Sequence, residues 1–548
     1  MEKRALIAVV ISLVILVVYQ ELVVRRFFPQ ELERIGSEAA PTAPAGPNPP
    51  PVAPEHPAEL GAARADAQPP AAAQHVSVDT DLYHAVFTSD GARLESFQLK
   101  KYRTTVDPQS PPQETVVPGQ NGELPFGVEL RGTKTLSDAG AAYTVEGKDL
   151  TLTSDQSGTL DFVWHMNGAT IRKRFTFHGD RYQFSMDVGV QDAPPEYNEI
   201  GVAWIKAEDT PPQPGSEVVF DRAIRLEGRK LFEDNFTKLA DGKIYPEKGS
   251  NTEVVWAGYA GRHFVASMIP IDVQHQRLWL KLRGQTVEEQ LLFPRPAGGA
   301  DVKLEVYIGP KDFDVLEKVG HDLSRAVNLG MFGFIAVPLL HVLQFSHTVT
   351  GNYGIDIIVL TVIIKVLFLP LTKRSFESMR AMQKLQPQMA KIREKFKDDS
   401  DQMNKEIMEL YRRHKVNPLG GCLPMILQIP VFFGLYSALM NAVELRHAAF
   451  AFWIVDLAAP DRLGTLQLPF VQHPGIPVLT LLMGGSMFMQ QWMTPTAGDP
   501  AQQRVMMFMP LMFTFMFVNF PAGLALYWLV NNVLTIAQQY YINRTATT

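Results

Sequence analysis

The 548 residues carry 51 Lys and Arg against 57 Asp and Glu, a formal net charge of −6. This is not the basic excess that a nucleic-acid binder uses, and nucleic acid is not an expected partner. The chain is 46% hydrophobic with a single cysteine, Cys422, which excludes an intramolecular disulfide framework.

The apolar residues are unevenly spread. After Met1-Glu2-Lys3-Arg4, Ala5 to Val18 is almost wholly apolar, and Leu22-Val23-Val24 follows Tyr19-Gln20-Glu21. About 20 residues at about 1.5 Å each span a bilayer core. Tyr19-Gln20-Glu21 stands where a small-x-small cleavage site would follow a signal peptide, so residues 1–28 are predicted to be an uncleaved transmembrane anchor. Residues 29–74 are rich in Pro and Ala, including Pro49-Pro50-Pro51, and predict an extended linker without a core.

Residues 75–310 read as a β domain. Asp161–Met166 and Thr170–Phe177 flank Asn167-Gly168, a hairpin signal. Arg277–Leu282 and Val302–Tyr307 alternate with period two. Many short strands between turn residues predict an all-β sandwich, a separate water-soluble module on its tether. Residues 311–350 change character. Leu316, Val319, Leu323, Val327 and Met331 recur at helical spacing, which predicts an amphipathic helix on the membrane surface, with packing against the β domain as the alternative.

Residues 351–548 hold five further apolar runs, 355–371, 423–442, 476–493, 505–520 and 523–537, a five-helix bundle in the membrane. Twelve Lys and Arg fall between Lys373 and Lys415, whereas 443–475 has only Arg446 and Arg462. The positive-inside rule puts 373–415 in the cytoplasm and 443–475 outside. Counting spans back puts the β domain outside and the N-terminus inside.

Within 373–415, Met382, Leu385, Met389, Ile392 and Phe396, and then Met403, Ile407, Leu410 and His414, have coiled-coil spacing around the turn Lys397-Asp398-Asp399-Ser400. This predicts an antiparallel helical hairpin, with Pro387 kinking its first arm. Its basic residues, Lys391, Arg393, Lys395 and Lys397, read either as a docking surface for a ribosome or targeting factor or as topology-setting charge.

Lys365 lies ten residues into the run that starts at Ile355, about 15 Å deep at about 1.5 Å per residue. A charge there needs a wet cavity or a partner, unless it snorkels to the cytoplasmic side. Thr361 is one turn earlier on its face. No Asp or Glu stands in the other C-terminal runs, where the polar residues are Gln428, Asn519, Asn531, Asn532, Thr535 and Gln538. A lone cation among neutral polar groups suits a groove that receives an anionic group from outside. Interhelical hydrogen bonding is the alternative reading of the amides. Met425, Met509, Met512 and Met516 belong to a methionine-rich set that adapts to varied apolar partners or packs against lipid. No Walker A loop, HExxH pair or Cys/His cluster is present, so neither enzyme chemistry, metal nor cofactor is expected.

Five stretches carry a resemblance: Pro370-Leu371-Thr372-Lys373, Val416-Asn417-Pro418-Leu419-Gly420-Gly421-Cys422-Leu423-Pro424, Gln428-Ile429-Pro430, Phe520-Pro521-Ala522-Gly523-Leu524 and Leu526-Tyr527-Trp528. With them the chain resembles the YidC/Oxa family of membrane protein insertases, in its Gram-negative YidC form, over essentially its full length. The resemblance implies a β-supersandwich periplasmic domain in a bacterial inner-membrane protein. It also implies a hydrophilic groove with a central cation, here Lys365 where the family usually has Arg. Thr361, Gln428 and Trp528, with Tyr527 beside it, match groove or contact positions, and Asn531 and Asn532 complete the expected lining. Trp528 stands where relatives often have a second Tyr. The tail after Tyr541 holds only Arg544 as a basic residue, so docking of a ribosome through the tail is not expected. The implied partners are nascent inner-membrane proteins, the Sec translocon and membrane lipids. Outside this class, a small-anion transporter using Lys365 is the alternative, but it should show inverted repeats. A carbohydrate-binding or epimerase role for the β domain lacks a catalytic His/Glu pair.

Overall fold

The period-two segments form strands. The computed structural model describes residues 73–545 apart from 167, 208–220, 237–238, 240, 248–251, 272–274, 285, 297–298, 398, 415, 417–422, 468–473 and 494–499. The expected anchor, residues 1–28, and nearly all of the linker lie outside the described residues, as do Asn417 to Cys422.

Strands between His75 and Pro310 build three sheets. A five-stranded sheet runs from Pro112–Glu114 through Arg93–Arg103, Tyr83–Thr88 and His75–Thr80 to Leu150–Leu152, the last pair parallel. In the nine-stranded sheet, Ser157–Met166 and Ala169–His178 pair in register, Ile171 opposite Trp164, around Gly168 at φ 86. The positive φ is the conformation a tight hairpin requires and glycine adopts freely. Arg277–Arg283 lies in the six-stranded sheet, next to Thr286–Pro294. Aromatic rings knit the layers together. Phe87 of the first sheet is 4.8 Å from Phe175 of the second, and Phe126, beside the third, is 5.2 Å from Trp204 and 6.1 Å from Phe184. One ion pair sits inside this core. Lys173, fully buried, lies 2.6 Å from Asp138 and donates to the Gly91 and Phe126 carbonyls, and Asp138 also holds Arg93. Every lone pair and proton is matched, which a buried charge requires.

The helical spacing from Leu316 to Met331 does not make one helix. Asp312 caps a short helix, α1 (Phe313–Val319), through the amides of Asp314 and Val315, and Gly320 at φ 84 ends it. A 3₁₀ turn, Leu323–Ala326, follows, and α2 (Gly333–Thr350) begins only after Gly330. Leu316 and Leu323 are buried in the fold, whereas Met331 is exposed. Two glycines at positive φ break a pattern whose spacing alone reads as continuous.

Helix α3 (Tyr353–Lys395) starts at the Asn352 cap and runs uninterrupted for 43 residues, through both Pro370 and Pro387. It packs against α4 (Ser400–Arg413) as the expected hairpin, with Asp399 capping α4 through Gln402 N. Met382, Leu385, Met389 and Leu410 are buried in the seam. Tyr411 fills the place expected for His414, which is exposed. The remaining helices are α5 (Leu423–Asn441), α6 (Val478–Met493), α7 (Pro500–Phe517) and α8 (Ala522–Thr545). Among the described residues, α2 and α3 have the length and composition to cross a membrane, and Met506–Phe517 is a shorter apolar stretch.

The β domain touches the helices directly. Arg262 donates to the Met440 carbonyl at the end of α5, and Arg446 just beyond it donates to Gln113 at 2.8 Å and lies over the Phe264 ring. Gln344 of α2 holds Glu444 at 2.9 Å, and burial pushes the Glu444 carboxyl above the usual carboxylate range. The tether therefore is not the domain's sole attachment.

Candidate functional site

Helix α8 packs against α6 and α3 and touches α5, so side chains one or two turns apart on it meet three neighbours. Lys365 on α3 donates from Nζ to Thr535 Oγ1 at 2.6 Å. The Thr535 hydroxyl gives its own proton to the Asn531 carbonyl, also at 2.6 Å. Its one proton being committed, Thr535 can only accept from the ammonium. Asn531 is tied sideways, its Oδ1 accepting from Gln428 Nε2 of α5 at 3.2 Å. On the other flank Asn532 donates to Ser486 of α6 at 3.0 Å, and Ser486 donates to the Met483 carbonyl. Helix α8 thus meets the Lys365 cation of α3 through Thr535 and carries two further polar contacts, to Gln428 of α5 and Ser486 of α6.

Among the described residues no carboxylate pairs with Lys365. An ammonium has three donors, and one is used here. Two further donors lie on α8: the Trp528 indole N–H and the Gln538 amide N–H are buried without a partner among the described residues.

The expected residues divide by what the structure does with them. Lys365, Thr535, Asn531 and Gln428 are linked by hydrogen bonds, and Asn532 lies beside them on α8 with its own bond to Ser486. Tyr527 is buried, its hydroxyl beside Gln428. The Trp528 ring packs among Phe432, Phe513 and Phe517, at 5.3, 6.5 and 5.9 Å. Thr361 is fully buried and gives its hydroxyl to the Ile357 carbonyl of its own helix at 2.6 Å. Asn519 stands apart from the cluster, accepting from Arg462 at the α7–α8 turn. Met509, Met512 and Met516 are exposed along α7 together with Phe508, Leu511 and Phe515. The Met425 side chain lies outside the described residues. Ser486, which bonds Asn532, is not among the residues expected from the sequence. Lys391, Lys395 and Lys397 are exposed on the hairpin, and Arg393 is partly so.

The ends of the helices are tied by two adjacent residues. Asp461, buried, accepts from Leu479 N at 2.7 Å and Thr480 Oγ1 at 2.8 Å at the start of α6. Arg462 donates to the Val518 carbonyl and to Asn519 between α7 and α8. Together they tie the start of α6 to the turn between α7 and α8.

Comparison with known proteins agrees across the whole chain. Residues 345–548 match the family model of the 60Kd inner membrane protein, and residues 75–342 match that of the YidC periplasmic domain. The membrane protein insertase YidC of Pelobacter propionicus is 40% identical over 99% of both chains. That of Syntrophobacter fumaroxidans is 40% identical over 100% of both. A solved structure of an active YidC insertase, with its first transmembrane domain resolved, aligns at 18% identity over 84% of this chain and 91% of that one, with a TM-score of 0.36. By full-length identity and by both family models, the chain belongs to the YidC family of membrane protein insertases.

Proposed function

We propose that this chain inserts inner-membrane proteins into the bilayer and assists their folding, alone or together with the Sec translocon, through a polar groove centred on Lys365. The supporting observation is the Lys365 ammonium held by Thr535 without a carboxylate among the described residues, on a helix, α8, that also carries the Asn531–Gln428 and Asn532–Ser486 contacts to α5 and α6. In this reading α3, α5, α6, α7 and α8 are the five core spans. The N-terminus and the hairpin lie in the cytoplasm, and the β domain lies in the periplasm.

A substrate's polar segment enters the groove, and an acidic group on it replaces water at the free donors of Lys365. Attraction between opposite charges strengthens as the local dielectric falls. The substrate's apolar segment then leaves for lipid along α7, releasing about 0.8 kcal/mol per buried CH₂. The exposed Met509, Met512 and Met516 offer it an adaptable surface. No nucleotide and no covalent step is required. Lys391, Arg393, Lys395 and Lys397 present the hairpin to a ribosome or targeting factor.

The test uses the purified full chain in proteoliposomes and a short single-span substrate whose far segment is acidic. A protease-protected fragment should form with the protein and not with empty vesicles. Equal protection in both would remove the reading.

A further inference from the structure

The loop between α5 and α6 carries a feature that the groove does not use. Phe452 is 95% exposed, and its φ is 57. A bulky residue in the left-handed region is strained, and such strain persists only where the surroundings impose it. The surroundings here are rigid. The Phe450 amide donates to the Ile454 carbonyl and the Ile454 amide to the Ala451 carbonyl, closing a tight turn over the tip. Phe450 lies so close on Gly354 that a Cβ there would come within 2.0 Å of its ring, and the Phe450 carbonyl accepts from Asn352, the cap of α3. On the other side Leu457, fully buried, accepts from Gly523 N, and Ala459 accepts from Ala522 N at the start of α8. The loop is thus bolted to the first turns of two helices, while Phe452, whose ring meets only the edge of the fold at Trp453, 6.1 Å away, and its neighbour Val455, 53% exposed, point largely out of its packing.

An aromatic ring held rigidly away from its own fold, at the level where two apolar helices begin, faces the boundary of the bilayer. We propose that residues 450–455 form a fixed lipid wedge that seats Phe452 and Val455 in the acyl region just beneath the headgroups. The leaflet it enters is the outer one, and that assignment rests on the topology given above. Phenylalanine has no polar handle to hold it in the headgroup layer, so it belongs deeper than the Trp and Tyr of an aromatic belt. A wedge of this kind fixes the height of α3 and α8 in the membrane, and with it the depth of Lys365.

The experiment places a single cysteine at Phe452 in the full chain carrying Cys422→Ser. The cysteine is labelled with an environment-sensitive nitrobenzoxadiazole dye, and the protein is reconstituted into phosphatidylethanolamine/phosphatidylglycerol vesicles. Blue-shifted emission, strongly quenched by lipids brominated on the acyl chain and not by aqueous iodide, is expected at Phe452→Cys and at Val455→Cys. The same dye at Val106→Cys, an exposed site on the β domain, should stay aqueous. Emission at both wedge positions indistinguishable from that at position 106, with iodide quenching, would overturn the wedge and leave the loop to water or to a protein partner. Sidedness is read separately. Labelling of Val106→Cys by an impermeant maleimide in spheroplasts supports the outer leaflet. Protection there with lipid quenching at Phe452 intact would refute the topology and the leaflet, not the wedge.

Discussion

Replacing Lys365 with alanine removes one cation and one hydrogen bond and leaves the neighbouring network closed, because Thr535 keeps its proton on the Asn531 carbonyl. The fold should therefore change little, and the loss should appear in handling of acidic substrate segments. A hydrogen bond to a charged group contributes about 1.5–3 kcal/mol. The direct Coulomb attraction at about 4 Å and an effective dielectric of about 20 would reach about 4 kcal/mol. Lys365 is only partly buried, and in the proposed groove water would compete for it, so the lower range applies. At about 1.4 kcal/mol per factor of ten, this gives a roughly ten- to hundredfold slower insertion of acidic segments. Lys365→Arg keeps the charge and should restore most of the rate. The assay compares initial insertion rates into proteoliposomes for paired substrates that differ only in Asp/Glu against Asn/Gln in the translocated segment. The neutral member should insert at nearly the wild-type rate. Wild-type rates by Lys365→Ala for both members would reduce Lys365 to a residue that snorkels to the surface and remove the electrostatic step.

Three further outcomes follow from the same geometry. Lys173→Met leaves Asp138 buried with one partner fewer and should destabilise the β domain by about 3–5 kcal/mol, read as accelerated proteolysis of the full-length protein. Arg446→Ala combined with Arg262→Ala removes the contacts of the β domain to the end of α5, and double electron–electron resonance between labels on the two parts should give a broader distance distribution; an unchanged width would mean that the seam through α1 and α2 alone fixes the domain. Charge reversal at Lys391, Arg393, Lys395 and Lys397 should slow insertion of ribosome-delivered substrates while leaving the hairpin folded, since none of the four is in its buried seam; unchanged insertion by a correctly oriented variant would leave these charges a topological role only.

The fold was legible where its signal is periodic. Alternation over Asp161–Met166 and Thr170–Phe177 and the Gly168 turn predict a hairpin that forms in register. The 3,4 spacing of Met382, Leu385 and Met389 predicts the seam that buries them. Periodicity failed between Leu316 and Met331, because it counts apolar positions and ignores the backbone. Gly320 and Gly330 at positive φ turn one apparent stripe into two helices and a 3₁₀ turn. The contacts of Arg262 and Arg446 were equally hidden, since the residues they join are separated by more than a hundred positions and neither end has a local pattern that names the other.

The site divides along the same line. A lysine inside an apolar run is visible from its cost alone, and Asn531, Asn532 and Thr535 are visible as polar intrusions on a single helix. What the sequence cannot express is which of them the lysine meets. Thr361, one turn before Lys365, is the neighbour that spacing favours, yet its hydroxyl is spent on Ile357 and the ammonium crosses to Thr535, 170 residues away. The reason lies in proton count. A threonine hydroxyl in a helix commonly gives its proton to the carbonyl four residues back, and both threonines do so. Their remaining lone pairs differ in what surrounds them: Thr361 is sealed in the packing and Thr535 faces α3. An acceptor opposite a cation, on a helix whose next turn carries a Gln538 amide N–H without a partner among the described residues, holds the lysine in place without neutralising it. In the reading proposed above, that arrangement keeps the charge available to a passing anionic group, whereas a carboxylate at 535 would close the ion pair.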